Sequence, residues 1–64
     1  MERKAIAYDP SVVYTVDDLA RYWRVEPSTV YTLIRSGRLT AFKVGVGWRI
    51  TDKAVREFEE GESA

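Results

Sequence analysis

The chain reads as an α+β domain, mainly α, in the order helix, turn, helix, β-hairpin, helix. Three observations predict this. Apolar residues recur at helical spacing in two short stretches only three residues apart, the period changes to two between Leu39 and Ile50, and helical spacing returns after Thr51. A length of 64 residues leaves room for one small domain.

Residues 1–13 show no sustained period, and Asp9-Pro10-Ser11 reads as a turn, so this stretch is an N-terminal arm, irregular or briefly extended. The first helix is written at Tyr14-Thr15-Val16-Asp17-Asp18-Leu19. Thr15 serves as N-cap, Asp17 and Asp18 place negative charge in the first turn, and Tyr14 can staple onto Leu19. Val16, Leu19, Ala20 and Trp23 give one apolar face, which predicts a helix from Val16 to Trp23. After Arg24-Val25-Glu26, Pro27 suits a first helical position, Val30, Leu33 and Ile34 form an inner face, and Gly37 suits the residue past the end. The second helix thus spans Pro27 to Arg35 or Ser36. A connection this short packs two helices at a steep angle, the geometry of a helix-turn-helix.

Phe42 and Val44 then alternate with Lys43, Gly45-Val46-Gly47 supplies a turn, and Trp48 and Ile50 alternate with Arg49. The expectation is a two-stranded hairpin with Phe42, Val44, Trp48 and Ile50 on one face and Lys43 and Arg49 on the other. Thr51-Asp52 can cap a third helix whose inner face is Ala54, Val55 and Phe58, ending near Glu59 or Glu60. The folded domain is therefore expected over residues 14–60, followed by a polar tail over 61–64.

Composition removes much of the usual chemistry. With no cysteine and no histidine there is no disulfide framework, no thiolate or imidazole metal ligand, and no His base to activate a serine. Stability must come from the core, to which a hydrophobic share of 45% with two Trp, four Tyr and two Phe is suited. No apolar run approaches a membrane span or a signal peptide, so the expected setting is cytoplasmic, with no membrane partner. Asp17 and Asp18 are neighbours that diverge on a helix, and Gly45-x-Gly47 leads into a strand, so neither builds an acid/base pair or a phosphate loop. The chain is not expected to be an enzyme, to carry a cofactor or metal, or to bind a small-molecule ligand.

The formal charge is zero, but it is unevenly placed. Residues 21–49 carry Arg21, Arg24, Arg35, Arg38, Lys43 and Arg49 against Glu26 alone, while both ends are net acidic. A polyanion feels the local field within roughly a Debye length of about 8–10 Å, so it meets the basic middle. If Val30, Leu33 and Ile34 face inward, Ser28, Thr29, Tyr31, Thr32 and Arg35 face outward. Short hydroxyls at a helix start suit phosphate contacts, and Arg can bind guanine bidentately. Lys43 and Arg49 add a basic hairpin beside the helices, the arrangement of a wing.

The segments Tyr14-Thr-Val-Asp-Asp-Leu-Ala, Val25-Glu-Pro-Ser-Thr-Val-Tyr-Thr-Leu-Ile-Arg-Ser-Gly-Arg-Leu and Phe42-Lys-Val-Gly-Val-Gly-Trp-Arg-Ile-Thr resemble the excisionase-type winged helix-turn-helix of the MerR superfamily, over about residues 14–60. The resemblance implies a recombination directionality factor of a phage or mobile element. It implies that the second helix enters the major groove, that the wing reaches backbone or minor groove, and that copies assemble head to tail on repeated sites, bend double-stranded DNA and direct an integrase towards excision. Carried over, Ser28, Thr29, Tyr31, Thr32 and Arg35 match the recognition face and Arg49 the wing arginine. The family usually has glycine where Arg24 stands and an N-cap serine where Glu26 stands. A small phage transcription repressor is the nearer alternative, and a protein–protein interaction module the alternative of a different class. Regulators with effector domains append segments for which 64 residues leave no room.

Overall fold

The computed structural model describes residues 6–63, with side chains through residue 61. Strand β1 (Val13–Thr15) leads into helix α1 (Val16–Trp23), followed by α2 (Pro27–Arg35), strands β2 (Phe42–Val44) and β3 (Gly47–Thr51), and helix α3 (Asp52–Ser63). The fold is α+β: three helices and a three-stranded antiparallel sheet of order β1-β3-β2.

Local chemistry sets the helix boundaries. The Thr15 hydroxyl accepts the Asp18 N–H at 3.0 Å and the Asp18 carboxylate accepts the Thr15 N–H at 3.5 Å, a reciprocal cap that starts α1. Both α1 and α2 end with the same pair of hydrogen bonds. In α1 the Arg24 and Val25 N–H groups donate to Arg21 O and Ala20 O at 3.2 and 2.9 Å; in α2 those of Gly37 and Arg38 donate to Ile34 O and Leu33 O at 3.1 Å each. This closure needs a left-handed residue at its pivot. Gly37 supplies it at φ 80°, and Arg24 supplies it at φ 59°, ψ 48°. Glu26 precedes Pro27 as N-cap of α2 without a side-chain bond to the helix. Thr51 caps α3 by accepting the Ala54 N–H at 3.1 Å.

The core gathers Val16, Leu19 and Ala20 of α1, Val30 of α2, Leu39 of the following loop, Ile50 of β3, and Ala54 and Val55 of α3. Tyr14, Trp23, Leu33, Ile34, Ala41, Trp48 and Phe58 pack around them, partly buried. Each fully buried Leu, Ile or Val contributes about 1.5–3 kcal/mol, and that burial fixes the helices against the sheet.

The hairpin departs from its expected facing. The turn has two residues, Gly45-Val46, with Val44 opposite Gly47, Lys43 opposite Trp48 and Phe42 opposite Arg49. Gly45 at φ 61° gives the positive φ at the first turn position that such a hairpin needs. Directly opposed residues share a face, so shortening a three-residue turn by one flips one strand relative to the other. Trp48, Ile50, Tyr14 and Lys43 share the core side; Arg49, Phe42, Val44, Thr15, Val13 and Thr51 share the outer side. Phe42 and Val44 are consequently exposed, at 46% and 49%, and Lys43 and Arg49 lie on opposite faces.

Two further differences concern the ends. The arm is ordered from Tyr8 to Val12 against the domain: Asp9, Pro10 and Ser11 form the expected turn, with Val12 N–H donating to Asp9 O at 3.1 Å, and Val13 opens a third strand. Its anchor is Asp52, 3% exposed, whose carboxylate accepts the Asp9 N–H at 2.8 Å and the Tyr14 hydroxyl at 3.1 Å, with Arg56 Nε at 3.4 Å. Tyr14, the expected staple for Leu19, packs against the core cluster that contains Leu19 and also stacks on Tyr22 with ring centroids 6.0 Å apart. Helix α3 continues to Ser63 rather than stopping near Glu60. Its second half is pinned where Phe58 packs on Trp23 at 5.2 Å and Glu59 accepts the Trp23 indole N–H at 2.8 Å.

Candidate nucleic-acid interface

Helix α2 divides its residues by the 3.6 period. Val30 is fully buried and Leu33 and Ile34 half-buried, which turns Ser28, Thr29, Tyr31, Thr32 and Arg35 outward, all exposed. The Thr32 hydroxyl donates to Ser28 O at 2.9 Å, so its proton is committed to the helix and its oxygen remains an acceptor. Among the described residues Arg35 makes no ion pair.

Tyr31 looks across to the sheet. A groove runs between it, the start of α1 at Thr15, Val16 and Asp17, and Gly47, Trp48 and Arg49 of β3. The Arg49 guanidinium donates to Trp48 O at 3.1 Å and crosses Gly47 so closely that a Cβ there would lie 2.8 Å from Nη1. Lys43 is exposed on the other hairpin face, its Nζ 5.4 Å from the Trp48 ring centroid, a cation–π contact. The structure therefore brings Tyr31 and Arg49 to one groove and holds Ser28, Thr29, Thr32 and Arg35 on the same helix. It places Lys43 on the hairpin face opposite Arg49, against Trp48. Trp48, expected from sequence on the apolar face of the hairpin, is not among the candidate site residues read there. It is half-buried and lines the groove, a position that depends on the hairpin register and has no signal in the local sequence.

The electrostatics sharpen the basic middle. Arg21 is paired with Asp18 at 2.6 Å, and Arg56 is shared between Asp52 and Glu59 at 3.4 and 3.3 Å. The Thr15 hydroxyl, with the Thr15 N–H and then Arg21, holds the Asp18 carboxyl below the ordinary carboxylate range, so it stays ionised and offsets Arg21. Within the basic middle, the cationic groups turned outward without an ion pair among the described residues are thus Arg24, Arg35, Lys43 and Arg49; outside it, Lys53 of α3 is also exposed and unpaired, over the Tyr8 ring. Among the described residues no group of acidic side chains is arranged to hold a metal ion, and no helix is long and apolar enough to cross a membrane. Arg3 and Lys4, whose contact with DNA the sequence leaves open, lie outside the described residues.

Two curated proteins of Mycobacterium tuberculosis are similar to this chain. They are "Putative DNA-binding protein MT0521" of strain CDC 1551 / Oshkosh and "Putative DNA-binding protein Rv0500A" of strain H37Rv, each 41% identical over 46 residues. The matched segment is 72% of this chain and 59% of either relative, so the chain spans well under two thirds of their length. No solved structure gives a significant match. Residues 13–63, from the first strand through the last helix, match the family described as "Helix-turn-helix domain", and the chain belongs to that family.

Proposed function

We propose that this chain is a sequence-specific DNA-binding protein in which α2 is the recognition helix and the β2–β3 hairpin a wing. One observation carries the reading: the outward face of α2 offers hydroxyls and an arginine that forms no ion pair among the described residues, and it continues through Tyr31 into a groove bordered by Arg49. Ser28, Thr29 and Tyr31 would hydrogen-bond phosphates, and Thr32 and Arg35 would reach base edges in the major groove. A hairpin set edge-on to the duplex presents one cation to either side, so Lys43 and Arg49 would meet phosphates of two strands across a minor groove. The names of the mycobacterial relatives agree with DNA as the partner.

Within that reading, the resemblance to excisionase-type domains supports an architectural role without catalysis. Several copies would bind repeats beside an attachment site, bend the DNA and direct an integrase towards excision. Binding to a promoter with no effect on an integrase reaction would instead mark a transcription repressor. The test of DNA binding is a salt titration. If four to six phosphates are neutralised, log K should fall against log salt with a slope of about −4 to −5. A flat response, or no duplex binding at low salt, would leave the protein–protein interaction module as the better reading.

A further inference from the structure

Arg24 and Gly37 occupy equivalent positions, each the left-handed pivot that closes a helix through the same two hydrogen bonds. Glycine takes that backbone without a Cβ penalty, whereas an L side chain raises its energy. The backbone therefore asks for glycine at residue 24 and carries arginine. Among the described residues nothing repays the exchange. The Arg24 side chain is exposed, and its guanidinium makes no hydrogen bond, ion pair or ring contact among the described residues, Glu26 two positions on included. A strained position kept with an unsatisfied five-donor cation is a reason to look for a ligand outside the chain. Arg24 belongs to the three-residue turn that feeds α2, whose first turn exposes Ser28 and Thr29.

We propose that Arg24 is a phosphate-binding residue of the DNA interface, its planar fork gripping a backbone phosphate at the edge of the groove that α2 enters. The proposal rests on the reading of α2 as a recognition helix. It adds a contact from the turn to those of the helix and hairpin. A guanidinium at the mouth of the helix, outside the stripe that reaches base edges, holds position and carries no sequence information.

The experiment measures melting temperature and duplex binding for the unaltered chain and for Arg24→Gly, Arg24→Asn and Arg24→Lys. Arg24→Gly should raise Tm by a few degrees by removing the left-handed penalty, while weakening binding to all duplexes. Loss of one phosphate contact corresponds to about an eightfold drop in affinity at 0.1 M salt, with the salt slope shallower by about one unit. Arg24→Asn keeps a side chain that tolerates the left-handed region and should show the same loss, while Arg24→Lys, which keeps the charge without the fork, should keep the slope and lose only part of the affinity. Arg24→Asn binding like the unaltered chain would overturn the proposal, even if Arg24→Gly binds poorly, because slack in the turn would then explain the glycine variant. A loss confined to one DNA sequence would overturn the phosphate assignment. Absence of salt-dependent duplex binding by the unaltered chain would overturn the reading of α2 itself, and the Arg24 contact with it.

Discussion

The polar groups around Asp52 and those along α2 are disposed in opposite ways. Around Asp52, the arm, β1, α1 and α3 saturate one another: Asp9 N–H and the Tyr14 hydroxyl on the carboxylate, Arg56 between Asp52 and Glu59, and Arg56 again on the Tyr22 hydroxyl at 3.1 Å. Along α2, Ser28, Thr29, Tyr31 and Arg35 point outward, and no hydrogen bond of their side chains is satisfied inside the fold among the described residues. The first arrangement spends polarity on holding a small domain together. The second leaves it available. Substitutions on the Asp52 side should therefore move stability and those on the α2 side should move binding.

The largest effect expected is on Asp52. Asp52→Ala strips partners from the Asp9 N–H, the Tyr14 hydroxyl and Arg56 at once and loosens β1 from β3, for a fall in Tm of roughly 10 °C by thermal melting, with binding retained well below the transition. A fall in affinity at temperatures where the variant is folded would break the division. Acid should act through the same group. The Asp9 N–H, then the Tyr14 hydroxyl and Arg56, hold the Asp52 carboxyl below the ordinary value of about 3.9, so the folded form releases its proton more readily than the unfolded one. That stability is present above about pH 4 and is lost as pH falls through the lowered folded value. Tm should hold from about pH 5 to 8 and decline below about pH 4, and Asp52→Asn should flatten part of the decline. Asp9 and Asp18, also lowered, by Ser11 and by Thr15, keep the remainder.

Which parts of this were legible in the sequence follows from the range of the interactions involved. Helices α1 and α2 fall on their expected residues because caps, Pro27, Gly37 and the apolar period are local, and the same period separates Val30, Leu33 and Ile34 from the outward stripe. Asp52 reads from sequence, with Thr51, as the cap of the third helix. Its burial is set by Asp9 and Tyr14, 43 and 38 residues away. Strand β1 has three residues, too few for a period to show, and exists because β3 offers an edge. Leu39 is buried although it stands outside the alternation of Phe42, Lys43 and Val44, because the loop after Gly37 ties it back to the end of α2, its N–H donating to Leu33 O at 3.1 Å. The facing of Lys43 and Arg49 hinged on whether Gly47 ends the turn or opens the strand, and two glycines flanking one valine fit either choice.

On the binding side, Arg35→Ala should leave Tm nearly unchanged and weaken the preferred site by about 1–3 kcal/mol, with preference relaxed at one base pair, if Arg35 reads a base edge. Equal weakening on every sequence in a competition binding assay would place it on a phosphate instead. Arg49→Ala is expected to act differently. It should reduce affinity for all duplexes alike and lower the salt slope by about one unit. A loss limited to the preferred site would move Arg49 from the backbone to a base and break the assignment of the hairpin as a wing.

The smallest effect expected comes from Gly47→Ala, and it tests whether the place of the Arg49 guanidinium matters. Gly47 has no positive φ, so alanine fits its backbone and, by narrowing the unfolded ensemble, can raise stability by about 0.4–1 kcal/mol. The added Cβ would stand 2.8 Å from Arg49 Nη1, the far end of a flexible side chain, so the guanidinium swings away and the strand stays in register. Its charge remains in the hairpin but leaves the position beside Tyr31. Affinity measured at fixed salt should then drop by roughly two- to threefold, less than for Arg49→Ala, with a salt slope close to that of the unaltered chain because the charge is still present. Unchanged affinity would mean that the hairpin cation works from any position near the duplex, and the groove between α2 and β3 would lose its claim to hold it in place.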